Sequence, residues 1–131
     1  MAKLVSIYSY NHPEKKPDHT KYQCKLYTDL DTAPEDLRDY VITACELGLM
    51  GYYSDGITYK SEFSPNEIIT KAEVVTVLSR MLRENKYAGT EEFRYHSHIL
   101  AIYKAGIIEN QNNPFMKETR GNVIMMMDRL K

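Results

Sequence analysis

The apolar positions of the chain recur at helical spacing in two segments. In the first segment they fall three or four residues apart, at Leu37, Val41 and Ala44, and Gly48 follows them. An apolar stripe of this kind, closed by a glycine, predicts a helix over about 33–47.

The start of this first helix is predicted from its capping residues. Thr32 and Glu35 have the spacing of a capping box, in which each side chain bonds the backbone N–H of the other residue. Pro34 falls in the first turn, where its missing N–H group has no helical partner to lose.

The second helix has a similar start and a clearer apolar face. Thr70 and Glu73 form another capping-box pattern. The apolar stripe that follows them consists of Val74, Val77, Leu78, Met81 and Leu82. The polar residues predicted to lie on the opposite, solvent-facing side are Lys71, Ser79, Arg80 and Arg83.

The first 26 residues carry weaker signals. Lys3–Tyr10 alternates loosely between apolar and polar residues, which favours a short strand. Residues 11–20 contain Pro13 and Pro17 and are typical of a loop. We therefore expect a non-helical N-terminal extension over 1–26.

The helix–loop–helix pattern occurs twice along the chain. An offset of 58 residues carries the apolar stripe of the first helix onto a second stripe and Gly48 onto Gly106. An offset of 49 residues does the same for the second helix and carries Thr70 onto Thr119. The second copy therefore has nine fewer residues between its helices. Two matches in consistent register indicate an internal repeat, and repeats bury their apolar faces against one another.

The repeat fixes the expected architecture. We expect a mainly α fold in which helix–loop–helix repeats pack as a small helical bundle, preceded by the N-terminal extension. The predicted domains are the extension over 1–26, a first repeat over 27–84 and a degenerate second repeat over 85–131.

Composition narrows the classes of function. The 17 Lys and Arg residues nearly balance the 18 Asp and Glu residues, and this argues against general nucleic-acid binding. Apolar residues make up 43% of the chain, which is enough for a packed core. No stretch approaches the ~18 apolar residues of a membrane span, so no membrane insertion is expected.

The N-terminus and the cysteines bear on the compartment. The apolar run in the first eight residues is too short for a signal-peptide core, so we expect either an intracellular chain or a piece of a longer secreted protein. Cys24 and Cys45 can form a disulfide in an oxidising compartment. Alternatively Cys45, on the apolar face of the first helix, is a free thiol that packs as a small hydrophobic residue, and this interpretation is favoured.

Several motifs of the first repeat resemble the S-layer homology domain family. That family combines an aromatic-x-Asp start, a first helix closing on Gly-Ile/Leu-x-x-Gly, an Asp-Gly turn, Phe-x-Pro, and a second helix opening with Thr-Arg-Ala-Glu. The matching segments here are Tyr27-Thr28-Asp29, Gly48-Leu49-Met50-Gly51, Asp55-Gly56, Phe63-Ser64-Pro65 and Thr70-Lys71-Ala72-Glu73. The residues to which the resemblance assigns a structural role are Gly48, Gly51, Asp55, Gly56, Phe63, Pro65 and Gly106.

The chain also departs from the family pattern. Lys71 stands where the family has Arg, and the second copy keeps Thr119 and Arg120 but lacks the following Ala-Glu. The resemblance covers 27–84 well and 93–130 in part. Only two repeats are recognisable, whereas the family usually has three.

The resemblance implies a non-catalytic, cell-surface module that binds anionic cell-wall or surface polysaccharide near the start of each second helix. A helix N-terminus offers backbone N–H groups and a partial positive charge, to which an adjacent cation adds. The candidate ligand-binding residues are Lys71, Arg120, Thr70, Thr119, Asp29 and Glu73. For Thr70 and Glu73 a capping role, and for Asp29 a turn or helix-entry role, are the alternatives.

A second hypothesis keeps the fold and loses the sugar site. The chain is then a structural or protein-interaction module that self-associates, or that takes a third repeat from another chain, because an incomplete set of repeats leaves an apolar side open. DNA binding through residues 70–83 is disfavoured by the charge balance and by the long connection before them.

No pattern points to catalysis or to a cofactor. His96 and His98 are two residues apart and diverge on a helix, so they do not chelate one zinc ion. Asp29 and Asp31 lack the other positions of a calcium loop. Nucleophile-elbow, phosphate-loop and dinucleotide motifs are absent from the sequence. We therefore expect no enzyme activity, metal or cofactor.

Overall fold

The computed structural model describes residues 1–53, 56–83 and 94–130 of the chain. Within these ranges the secondary structure is helical, with no strand, and this confirms the expected mainly α fold. The α-helices are α1 (Ala2–Asn11), α2 (Glu35–Glu46), α3 (Lys71–Arg83), α4 (Arg94–Lys104) and α5 (Arg120–Arg129). Short 3-10 turns cover Tyr22–Lys25 and Leu30–Thr32.

The chain divides into two compact units, Met1–Glu67 and Ile68–Lys131. The first unit contains α1 and α2, and the second contains α3, α4 and α5. The division falls between the two helices of the predicted first repeat, so the predicted boundaries at 26, 84 and 131 stay predictions.

The N-terminal segment is a helix, and the expectation of a non-helical extension with a short strand was wrong. Helix α1 buries Val5, Ser6 and Ser9, which are spaced as one helical face. The Ser6 hydroxyl lies 3.2 Å from the Tyr40 carbonyl oxygen of α2, to which it donates. The alternation was misleading because the serines, polar by type, are small and hydrogen-bonded and therefore belong to the buried face.

Helix α2 confirms the first predicted helix, but its predicted capping box is wrong. Pro34 is the N-cap residue, and no side chain caps the helix. Thr32 belongs to the preceding 3-10 turn, where its hydroxyl donates to the Asp29 carbonyl at 2.6 Å. Because that local acceptor is close, the hydroxyl is not available to the first turn of α2.

The glycine that ends α2 has the predicted role. Gly48 has φ 75°, and the Leu49 N–H donates to the Ala44 carbonyl at 3.1 Å. The same arrangement ends α4, where Gly106 has φ 75° and the Ile107 N–H donates to the Ile102 carbonyl at 3.1 Å. The two helix ends therefore match at the offset of 58 residues seen in the sequence.

The two cysteines form a disulfide, so the favoured free-thiol interpretation was wrong. Cys24 and Cys45 have Cα atoms 5.6 Å apart, and both are fully buried in a cluster with Tyr27 and Tyr52. The 3-10 turn at Tyr22–Lys25 lies against α2 and brings Cys24 to the helix. This approach depends on tertiary packing, which helical spacing does not reveal.

In the second unit, α3 packs against α4, and most of α3 is buried. The predicted solvent-facing side of α3 was wrong at Lys71, Ser79 and Arg80, which are all buried. The His98 ring of α4 lies 2.8 Å from the Ser79 hydroxyl oxygen. Polar residues on this side of α3 therefore meet partners in α4 and in the loop before α5 rather than water.

Candidate functional site

Tyr27 and Asp29, at the start of the segment that resembles the family, contact the loop that precedes α3. The Asp29 carboxylate accepts hydrogen bonds from the backbone N–H groups of Phe63, at 2.8 Å, and Ser64, at 2.7 Å. The Tyr27 ring meets the Phe63 ring edge-on, with centroids 5.4 Å apart. Both carboxylate oxygens of Asp29 thus serve the loop, which agrees with the turn alternative for this residue.

Gly51 is required by the close approach of Tyr27. Its φ is 85°, and a Cβ atom there would lie 2.7 Å from Cζ of Tyr27. The Tyr27 hydroxyl donates to the Gly51 carbonyl at 2.9 Å, and burial raises the pKa of this phenol above its usual value. The structural role predicted for Gly51 follows from this contact.

The other residues to which the resemblance assigns a structural role in the first copy lie between α2 and α3. Gly56 has φ 70°, while Asp55 lies outside the described residues. Pro65 follows Ser64, which has φ 59°. In the second copy Pro114 follows a residue with φ 55° at the same offset of 49 residues, so the two loops share this local geometry.

The capping box at the start of α3 is present. The Glu73 carboxylate accepts from the Thr70 backbone N–H at 3.2 Å and from the Thr70 hydroxyl at 2.8 Å. The Glu73 backbone N–H lies 3.3 Å from the Thr70 hydroxyl oxygen, to which it donates. Thr70 and Glu73 therefore have the structural role that their spacing predicts.

The remaining N–H groups of the first turn of α3 are also satisfied. The Lys71 N–H donates to the Met116 carbonyl at 2.8 Å, and the Ala72 N–H donates to the Pro114 carbonyl at 2.7 Å. The loop over 109–118 thus covers the N-terminus of α3. A ligand at this helix end would have to displace the loop.

The Lys71 side chain points into the same loop. Its ammonium donates to the Asn110 carbonyl at 3.0 Å, the Asn110 side-chain oxygen at 3.2 Å and the Asn112 carbonyl at 2.6 Å. Only 7% of the residue is exposed. Sequence reasoning missed both asparagines, because they lie about forty residues away and carry no motif.

The start of α5 differs from the start of α3, where the 109–118 loop binds the first N–H groups and the Lys71 side chain. Thr119 is the N-cap residue, and its hydroxyl oxygen accepts from the Asn122 N–H at 3.2 Å. Arg120 and Gly121 follow in exposed positions. Within the described ranges, no partner is found for the Arg120 guanidinium or for the backbone N–H groups of Arg120 and Gly121.

The candidate residues therefore fall into three places. Asp29 lies in the first unit, Thr70, Lys71 and Glu73 lie at the covered start of α3, and Thr119 and Arg120 lie at the open start of α5. Arginine forms paired hydrogen bonds with a carboxylate, and a helix N-terminus favours a negative charge. The start of α5 thus brings an exposed guanidinium and a helix N-terminus together.

In the described part of the chain, no group of three or more His, Cys, Asp or Glu residues is placed to hold a metal ion. No helix over the same residues is long and apolar enough to cross a membrane.

A comparison with protein families finds one family model that matches part of the chain. Residues 26–75 match the family model of the S-layer homology domain. Neither the search of curated proteins nor the search of solved structures found a match. Domains of this family are non-catalytic modules that anchor proteins at the cell surface and generally bind polymers of the cell wall. Residues 26–75 are therefore similar to an S-layer homology domain, and this similarity supports a role in cell-envelope attachment in general.

Proposed function

We propose that the chain attaches to the cell envelope by binding an anionic cell-wall or surface polysaccharide, with Arg120 as the principal contact. The observation that carries this proposal is the open start of α5, where an exposed guanidinium stands beside two backbone N–H groups without partners in the described structure.

The chemistry of this position suits a carboxylate on a sugar. A carboxylate can accept two parallel bonds from the planar guanidinium, and the N-terminus of α5 adds the partial positive charge of the helix dipole. Hydrogen bonds to charged groups contribute about 1.5–3 kcal/mol each. With a formal net charge of −1, the chain has no general attraction for an acidic polymer, so binding depends on such a local site.

The other candidate residues have supporting roles in this proposal. The Thr119 hydroxyl accepts from Asn122 and still has a proton to donate to a sugar oxygen. Lys71 must exchange one of its three acceptors before it binds a carboxylate. We therefore place it after Arg120, and Thr70, Glu73 and Asp29 then act by holding the helix start and the loop in position.

The disulfide and the family similarity both support a compartment outside the cytosol. Disulfides persist in oxidising environments such as the cell exterior. The buried Cys24–Cys45 bond therefore supports a location outside the cytosol, in line with the typical cell-surface location of the family.

The test is a binding assay on purified wall polysaccharide immobilised on beads. We expect the chain to be retained and Arg120→Ala to lose most of the retention. Lys104→Ala is the matched control, because it removes an exposed cation of the same sign from the end of α4. Lys71→Ala is compared only after its fold is verified by circular dichroism, because its ammonium holds the 109–118 loop.

Two results decide the proposal. If the unmodified chain is not retained at low salt, the polysaccharide function is wrong. If the chain is retained and Arg120→Ala is retained equally well, the function stands and the assignment of Arg120 is wrong.

A further inference from the structure

Within the chain, the loop over 109–118 lies on the start of α3. The N–H groups of Lys71 and Ala72 donate to the carbonyls of Met116, at 2.8 Å, and Pro114, at 2.7 Å. The loop of the second repeat thus satisfies the helix start of the first repeat.

The loop over 60–69, before α3, contains the same turn. The offset of 49 residues carries Ser64 onto Asn113, and their φ angles are 59° and 55°. In both loops the N–H three residues later donates back to the carbonyl of this residue, at 3.2 Å from Glu67 and at 3.1 Å from Met116. The two turns therefore have the same backbone form.

Both halves of a second contact of this kind are open. The carbonyls of Pro65 and Glu67 correspond to the two accepting carbonyls of the second repeat, and among the described residues no donor reaches them. The N–H groups of Arg120 and Gly121 correspond to the two donors of α3 and have no acceptor among the same residues. A Cβ atom at Gly121 would meet nothing within 4 Å, whereas Ala72 at the covered start of α3 is 5% exposed.

We propose that the 60–69 loop of a second molecule of this chain covers the start of α5, in the way that the loop of the second repeat covers the start of α3. The Arg120 N–H then donates to the Glu67 carbonyl of the second molecule. The Gly121 N–H donates to the Pro65 carbonyl of the same loop.

An exposed apolar side chain of the loop fits this arrangement. Within the chain, an isolated antiparallel bridge sets Thr70 opposite Lys117. The same offset sets Thr119 of one molecule opposite Ile68 of the other. Ile68 is 62% exposed in the single chain, and the contact covers it.

Charge favours this pairing over a pairing of like parts. Glu67 is exposed, and the pairing sets its carboxylate beside the exposed Arg120 guanidinium. The unit Met1–Glu67 has 7 basic and 11 acidic residues, a formal charge of −4, whereas Ile68–Lys131 has 10 basic and 7 acidic residues, a formal charge of +3. Contact of the first unit of one molecule with the second unit of another is therefore attractive, and contact between like units is repulsive.

Each molecule offers one open loop and one open helix start, so the association is head to tail and either closes into a ring or extends as a chain. A loop on a helix start is a small contact beside the standard interface of about 1,600 Å², and the association is therefore weak and concentration-dependent. It does not rest on polysaccharide binding. Both proposals use the start of α5, so a molecule that holds polysaccharide there is not covered by another.

The first experiment is sedimentation equilibrium of the full chain from about 10 to 500 µM without polysaccharide, a range suited to a weak interface. We expect the average mass to rise above the 15.3 kDa of the monomer as the concentration increases. Glu67→Arg should weaken association about threefold to tenfold, and Glu67→Arg combined with Arg120→Glu should restore it. Asp39→Arg is the matched control, because it makes the same charge reversal at an exposed position of α2 in the same unit.

The second experiment traps the contact itself. Cα atoms of directly opposed residues in an antiparallel pair are about 4.5–5.5 Å apart, which a disulfide spans. Ile68→Cys mixed with Thr119→Cys should therefore form a crosslinked dimer under oxidising conditions, whereas each variant alone should not. Circular dichroism verifies that both variants are folded, since Thr119 caps α5.

The outcomes separate this proposal from the proposed function. A constant 15.3 kDa mass at the highest concentration overturns the proposal. Association that the charge exchange does not restore, or a mixture that crosslinks no more than Ile68→Cys alone, overturns the proposed pairing. Because Glu67 lies outside α5, the retention of Glu67→Arg on polysaccharide beads reports on the proposed function separately.

Discussion

The ring of His98 makes the second unit sensitive to acid. Only 8% of the residue is exposed, and the ring lies between α4 and α3 beside the Ser79 hydroxyl. Arg83 Nη2 is 3.1 Å from Nδ1 of the same ring. Burial, reinforced by the positive charges of Arg80 and Arg83, lowers the pKa of His98 to about 4. The imidazole is therefore neutral in the folded protein at pH values where an unfolded chain is already protonated.

The sign of the effect follows from this difference in proton binding. Between the unfolded pKa of about 6.5 and the folded pKa of about 4, the unfolded chain binds one more proton than the folded chain, so acid favours unfolding. Each pH unit in this window costs about 1.4 kcal/mol. The free energy of unfolding should fall by about 2 kcal/mol between pH 6.5 and pH 5, and by about 3 kcal/mol on reaching pH 4.

Urea denaturation followed by circular dichroism at pH 7.5 and pH 5.0 measures this loss. In His98→Gln, which keeps a polar side chain but does not titrate, the loss on acidification should be smaller by about 2 kcal/mol. His96→Gln is the matched control, since His96 is an exposed histidine on the same helix and should leave the loss unchanged. The same pH dependence in the unmodified chain and in His98→Gln would refute the reasoning.

Three further predictions concern the first unit and the helix starts. Gly51→Ala should lower the free energy of unfolding, measured by urea denaturation, by about 1–3 kcal/mol, because it strains a positive φ and places a Cβ atom against Tyr27. Gly121→Ala is the control and should not destabilise the chain, because its Cβ atom would meet nothing within 4 Å. Thr70→Ala should cost about 1 kcal/mol in the same assay through loss of the capping box, and an unchanged midpoint would contradict that role. The disulfide joins residues 21 positions apart in the sequence, and its reduction should lower the free energy of unfolding by about 3 kcal/mol. Equal melting temperatures with and without reductant would contradict this stabilising role of the disulfide.

The sequence by itself determined the features that depend on local patterns. The apolar stripes predicted α2 and α3, and Thr70 and Thr119 marked helix starts that the structure confirms. Gly48 and Gly106 have the positive φ that a glycine helix end requires. Motif order pointed to the S-layer homology family before any fold was known, because caps, turns and stripes are encoded within a few residues of one another.

The tertiary structure alone decided the features that depend on residues distant in the chain. Ser6 counts as polar in a hydrophobic pattern, and only its contact with Tyr40 shows that it belongs to a buried helix face. Lys71 has the sequence environment of an exposed ligand contact, yet a loop about forty residues away occupies both its ammonium and its backbone N–H. Arg120 has the same place in the repeat and no such cover in the described structure. Local sequence specifies which groups a helix end offers, whereas the packing of distant segments decides whether those groups are already bound.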